Sequence, residues 1–237
     1  MTRRFRRVGH KGADLIAPGN TLASFDAALR SGVDMIEFDV LSENRDGTGA
    51  LLLAHDYTHA DGALTLEEGL DHFCQEHYAT TELDVDLKLT GYEDRVVAAL
   101  RERGLLTRAL VSTMEPQSLP RLRELEPMLR IGQSVPKVKR NHLAHWWSRP
   151  LAYLVIGWLR WTLPRRLSRA VGAGEIDAVM AHRSVVTRRF ADMLHAAGGE
   201  LYVWTVDDAG DIARFESLGV DGVISNDPRL FGARRAT

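Results

Sequence analysis

Two periodicities alternate along this chain. Short apolar runs of strand length are followed, again and again, by stretches whose apolar residues recur at every third or fourth position. The first run, residues 5–9, ends in Gly9-His10-Lys11-Gly12, where flanking glycines allow a tight turn and close approach of a ligand. Pro18-Gly19-Asn20-Thr21 predicts a helix start: Asn20 or Thr21 can cap it, and Leu22, Phe25, Ala28 and Leu29 repeat at helical spacing until Gly32 stops it. A second apolar run carries Met35, Ile36, Phe38 and Val40, and a third, residues 50–54, delivers His55 and Asp56 at its end. Thr65-Leu66-Glu67-Glu68 reads as a capping-box start for a helix to about residue 75. Further strands are predicted within residues 83–89, 105–113, 129–133, 178–181, 200–206 and 222–225. Helices are predicted over 94–103, 116–125 and 185–197, and from Asp207 as cap to residue 218.

The main strands therefore begin near Phe5, Asp34, Leu83, Ala109, Leu129, Ala178, Glu200 and Gly222, and most are followed by a helical pattern. Eight such alternations in 237 residues predict an α/β fold, a (β/α)8 TIM barrel forming one domain over residues 1–237. In that fold chemistry gathers at the C-terminal ends of the strands. His10, Glu37, Asp39, Asp86, Lys88 and Trp204 all fall at or near such ends.

Glu37 and Asp39 interrupt an otherwise apolar strand, two positions apart and so on one face. The run from 83 to 89 likewise puts Asp84, Asp86 and Lys88 on one face. Buried anions side by side resist ionising together unless a cation lies between them, and a divalent metal with oxygen ligands is the simplest such cation. A Glu-x-Asp pair on its own has a plainer explanation, with one member capping, facing water or meeting an arginine. The convergence of several strand ends is what favours a metal-dependent site.

Composition adds limits. Hydrophobic residues make up 45% of the chain and charged residues 26%, as in a globular protein with a full core, and the net charge is -2. Cys74 is the single cysteine, which excludes an internal disulfide and fits a reducing compartment. The basic start lacks the apolar stretch and cleavage site of a secretory signal, and no apolar run is long enough to span a bilayer, so a cytoplasmic location is expected.

With these residues in view, the chain resembles the glycerophosphodiester phosphodiesterase family of metal-dependent barrel enzymes. Gly9-His10-Lys11-Gly12 corresponds to the family's His-Arg-Gly start and Pro18-Gly19-Asn20-Thr21 to its Pro-Glu-Asn-Thr. Ile36-Glu37-Phe38-Asp39-Val40 and His55-Asp56 match its next motifs, and Val203-Trp204-Thr205-Val206 with the run from Gly219 to Pro228 matches its closing signature. The resemblance implies His10 and His55 as the acid/base pair and Glu37, Asp39 and Asp86 as ligands of Mg²⁺ or Ca²⁺. It further implies Lys11, Lys88 and Trp204 as substrate contacts. Lys11 stands for arginine, Gly19 for glutamate and Asp86 for glutamate, and the loop after Asp56 is short. The Asp86-x-Lys88 pair resembles instead the related sphingomyelinase D and phospholipase D branch. Hydrolysis of a glycerophosphodiester or lysophospholipid is the leading expectation. The alternatives are closure of a cyclic phosphate on the substrate's own hydroxyl and an inactive barrel that binds a lipid surface.

One segment stands apart. Residues 127–174 contain no aspartate or glutamate, nine lysines and arginines, and Trp146, Trp147, Trp158 and Trp161. This basic, tryptophan-rich insertion, around 135–172, reads either as a helix hairpin over the barrel mouth or as an element lying in the surface of an anionic bilayer. The second reading would place the protein peripherally at the inner membrane face. Its aliphatic and aromatic content exceeds what a nucleic-acid patch needs.

Overall fold

The computed structural model describes residues 4–136 and 149–232. Its nine described strands are β1 (Arg6–Gly9), β2 (Met35–Ser42), β3 (Leu51–Leu52), β4 (Glu82–Leu87), β5 (Ala109–Thr113), β6 (Arg130–Val135), β7 (Ala178–His182), β8 (Glu200–Trp204) and β9 (Gly222–Ser225). All but β3 are parallel neighbours in the order β1-β9-β8-β7-β6-β5-β4-β2, and β1 pairs with β2 to close the ring. The helices are α1 (Leu22–Arg30), α2 (Leu66–Phe73), α3 (Glu93–Glu102), α4 (Ser118–Leu125), α5 (Arg149–Gly172), α6 (Arg188–Ala196) and α7 (Ala209–Ser217). A 3-10 turn, Pro228–Phe231, follows β9 where an eighth helix would stand. The expected (β/α)8 barrel is the observed one.

Strand alternation sorts the barrel interior into layers. At the floor, the N-terminal end of the strands, Arg6 and Arg130 interleave with Glu82 and Glu200: Arg6 Nε lies 2.8 Å from Glu82, and Arg130 lies 2.6 Å from Glu82 and 2.5 Å from Glu200. Above them Val8, Met35, Leu110, Ala178, Met180, Tyr202 and Ile224 fill the centre as one apolar cluster. Outside the sheet a larger core, including Phe25, Phe38, Phe73 and Tyr78, seals the helices to the strands. The interior is therefore packed, and only the C-terminal face is left for chemistry.

Several local expectations shift. Thr21, not Asn20, caps α1, its hydroxyl accepting from the Ser24 N–H. Thr65 and Glu68 make the expected capping box at α2. Asp208 caps α7, while Asp207 accepts from Asn226 at the end of the neighbouring strand β9. Helix α6 begins at Arg188 rather than 185, with the Thr187 hydroxyl accepting from the Phe190 N–H. The segment read as an insertion is largely one 24-residue helix, α5, the ordinary connection between β6 and β7 made long. Residues 137–148, with Trp146 and Trp147, lie outside the described residues. Among the described residues, no helix is long and apolar enough to cross a membrane.

Candidate active site

Strand β2 organises the mouth. It runs on to Ser42, beyond the last residues it shares with β4, and there pairs antiparallel with β3. The resulting hairpin turns at Gly47, whose φ of 88° is a left-handed conformation that glycine adopts without strain. The returning chain brings His55 back over β2, where its Nδ1 lies 3.2 Å from Asp39 Oδ2. From β4, register places Asp86 beside Asp39. Glu37, Asp39 and Asp86 each present an oxygen within 4.8 Å of the others.

The loop after β1 closes the other side. Lys11 and Asn20 are both in the left-handed region, with φ of 49° and 60°, conformations that non-glycine residues hold only when the surroundings enforce them. The Lys11 backbone N–H donates to Glu37 Oε2 at 2.7 Å. Asn20 clasps Asp39 twice: its Nδ2 donates to Asp39 Oδ2 at 2.9 Å, and its Oδ1 accepts from the Asp39 N–H at 3.0 Å. Gly12 follows with φ 86° and Ser24 backbone 2.6 Å from where a Cβ would sit, so glycine is required there.

His10 leaves the end of β1 with its ring between two partners. Nδ1 is 2.5 Å from Asn226 Oδ1 and Nε2 is 3.8 Å from Glu37 Oε2. Asn226 is itself fixed by Asp207, which accepts from the Asn226 N–H at 2.8 Å and from Nδ2 at 2.7 Å. With its NH₂ committed to Asp207, the amide presents oxygen to His10. His10 therefore donates from Nδ1 and keeps Nε2 for the site. Burial pushes the His10 pKa down, against the Asn226 hydrogen bond and the Asp39 charge, which raise it.

Charge at the centre is unbalanced. Glu37, Asp39 and Asp86 are all buried, and Lys88 provides the ammonium that meets Asp39 and Asp86. Burial opposes the Lys88 charge, yet Asp86, Asp39 and Glu37 together raise its pKa. Burial likewise opposes the Asp39 charge, but Lys88 and His55 outweigh it and hold Asp39 well below the usual carboxylate range. Glu37 and Asp86 move the other way, pushed up first by burial. One layer deeper, burial and Asp86 raise the Asp84 carboxyl to about 7, against the Ser112 hydroxyl and the Lys88 charge, which lower it. A set of oxygen donors with more negative charge than one ammonium balances, spaced closely enough for one ion to span, fits a hard divalent cation.

Lys11 Nζ, expected at the substrate, sits 3.3 Å from Asp14 Oδ2. Asp14 had no signal in the sequence, yet it fills the place next to Gly19, whose N–H it accepts at 2.9 Å. A Cβ at 19 would lie 2.6 Å from Asp14 Oδ1, so a glutamate there would displace the Asp14 carboxylate from its present position. Trp204 stands on another arc of the mouth, its Nε1 donating to the Met180 carbonyl at 2.9 Å and its ring edge-on to His182 at 5.1 Å. The sequence also gave no reason to link Asn226 or Asp207 with His10. Only the closed ring brings those strand ends together.

The profile of the glycerophosphoryl diester phosphodiesterase family matches residues 10–58 and 65–230. The chain belongs to this family. It is an enzyme of the phosphodiesterase class. It is 25% identical to a glycerophosphodiester phosphodiesterase of Caldanaerobacter subterraneus, covering 93% of each chain, and 27% identical to one of Bacillus altitudinis, covering 96% of each. Among solved structures it is similar to the glycerophosphodiester phosphodiesterase of Agrobacterium tumefaciens, with TM-score 0.70, 19% identity and coverage of 97% of this chain and 100% of that one. It is also similar to an Oleispira antarctica phosphodiesterase in complex with the product sn-glycerol-3-phosphate, with TM-score 0.67, 20% identity and coverage of 95% and 94%.

Proposed function

We propose that this chain hydrolyses glycerophosphodiesters with a divalent cation, Mg²⁺ or Ca²⁺, held by Glu37, Asp39 and Asp86. The observation that carries the reading is the convergence of those three buried carboxylates, with His10 against Glu37 on one side and His55 against Asp39 on the other. When bound, such an ion polarises phosphoryl oxygens and anchors the diester. The residues supply the proton chemistry. Water adds to phosphorus and gives a proton to one imidazole, the ester P–O bond breaks, and the leaving oxygen takes a proton from the other imidazole. Asn226 and Asp207 hold His10 in the tautomer that keeps Nε2 available. Lys88, Lys11 and Trp204 are the substrate contacts of this reading.

The resemblance of the Asp86-x-Lys88 pair to the phospholipase D branch supports a second outcome. In it a neighbouring hydroxyl of the substrate gives its proton to one imidazole and attacks phosphorus, the P–O bond to the leaving alcohol breaks, that alcohol takes a proton from the other imidazole, and a cyclic phosphate remains. Phosphorus NMR of glycerophosphocholine and lysophosphatidylcholine turnover separates the two, because glycerol phosphate and a cyclic phosphate resonate at different positions. A chain that turned over neither substrate with either ion would be an inactive barrel.

A further inference from the structure

Helix α5 has an apolar face that the barrel does not use. Its length is 24 residues, about 36 Å at 1.5 Å per residue, whereas the other described α-helices have 8 to 10. Leu163, Leu167 and Val171 are buried in the core, with Val171 against Gly199 near the floor. Arg160 marks the mouth: its Nε donates to the Ser184 carbonyl at 2.9 Å, and Ser184 holds His182, the neighbour of Trp204. Leu159 still packs against the core, and the turns before it lead past the barrel on the catalytic side.

On a helix, Leu154, Trp158, Trp161 and Arg165 form one line opposite Leu163 and Leu167. Leu154 is 72% exposed, Trp158 62% and Trp161 57%, with Val155 beside them at 46%. The Arg165 guanidinium stacks over the Trp161 ring at 4.4 Å. A helix apolar on both faces calls for a second apolar partner, and this one cannot span a bilayer. Residues 127–174 carry no acidic side chain. A second copy would set this face against its own positive charge with no carboxylate to answer the arginines, whereas an anionic bilayer answers them and accepts tryptophan at headgroup depth.

We infer that the outer face of α5 docks on anionic lipid, setting the catalytic mouth against the bilayer so that the enzyme cleaves diesters carried by lipid. The docking stands independently; the lipid-borne substrate rests on the phosphodiesterase reading above. The test sediments the full chain and its Trp158→Ala/Trp161→Ala variant with vesicles of phosphatidylcholine alone or mixed with phosphatidylglycerol. The wild type should sediment with the mixed vesicles and be released by high salt, and the variant should bind about tenfold less. The variant should hydrolyse dissolved glycerophosphocholine as the wild type does, which also reports its folding. It should cleave lysophosphatidylglycerol held in mixed vesicles about tenfold more slowly. Failure of the wild type to bind mixed vesicles at low salt, or equal binding by both proteins, overturns the inference. So does a dimer that these substitutions abolish in the absence of vesicle binding. Vesicle binding without turnover of glycerophosphocholine would leave the docking standing and refute the phosphodiesterase reading.

Discussion

At His10 the ring is held from behind by the Asn226 amide, which Asp207 orients by accepting from the Asn226 backbone N–H and from Nδ2. In the proposed mechanism the two imidazoles carry the proton transfers, so His10→Ala should lower kcat by about 10²-fold or more, and His55→Ala likewise. Removing Asp207 frees the amide without touching the ring. Asp207→Ala should therefore lower kcat by about 10–100-fold with little change in KM, since misplacing a catalytic group costs rate more than binding. Steady-state kinetics on glycerophosphocholine checks both. Loss of the ring's partner with no change in kcat would show that His10 needs no positioning. Glu37 and Asp39 were legible in the sequence because strand alternation puts them on one face of β2, and Asp86 because it shares a face of β4 with Asp84 and Lys88 and stands where the family resemblance implies a third ligand. Asp14 and the Asp207–Asn226 link were not, since each depends on contacts that form only when the loops and the ring close.

Among the elements, α5 divides its residues between two surroundings. Leu163 is in the core, so Leu163→Ala should destabilise the protein by about 2–5 kcal/mol. Trp158 is exposed, so Trp158→Ala should stay within about 0.5 kcal/mol. Urea unfolding compares them, and a large loss at Trp158 would mean the outer face is packed. The helix was hard to read because Pro150 and Pro164 punctuate it and apolar residues circle it, erasing the period that marks an amphipathic helix. The floor is a second element-level device. Burial opposes the Glu82 charge, but Arg6 and Arg130 hold its carboxyl below the usual range. Its stabilisation is present above the unfolded value of about 4.3 and is lost as pH falls through the lower folded value. Arg130→Met should cost about 1–4 kcal/mol near neutrality, between exposed and buried limits, and should flatten the acid side of the stability profile. An unchanged profile would show that Arg6 suffices.

Over the whole molecule, the eightfold alternation of runs made the barrel legible, because each strand and its helix repeat one local pattern. The identity of the mouth followed from the same count. What the pattern could not show is that Lys88 would pair with both Asp39 and Asp86 and partly balance the anions a metal would meet. An ion that binds the folded chain stabilises it by about 2.7 kcal/mol at a hundred times its Kd. Adding Mg²⁺ or Ca²⁺ should therefore raise Tm by about 5–10 °C. Glu37→Gln with Asp39→Asn should abolish that rise, and a rise that survives both substitutions would place the ion elsewhere. The most direct test follows the phosphorus NMR spectrum of glycerophosphocholine with the wild type, His10→Ala and His55→Ala, with and without chelator. The account predicts a glycerol phosphate resonance that grows with the wild type and Mg²⁺ or Ca²⁺, and that is lost on chelation and in either histidine variant. Turnover that persists in chelator, or that either histidine variant retains near the wild-type rate, would contradict it.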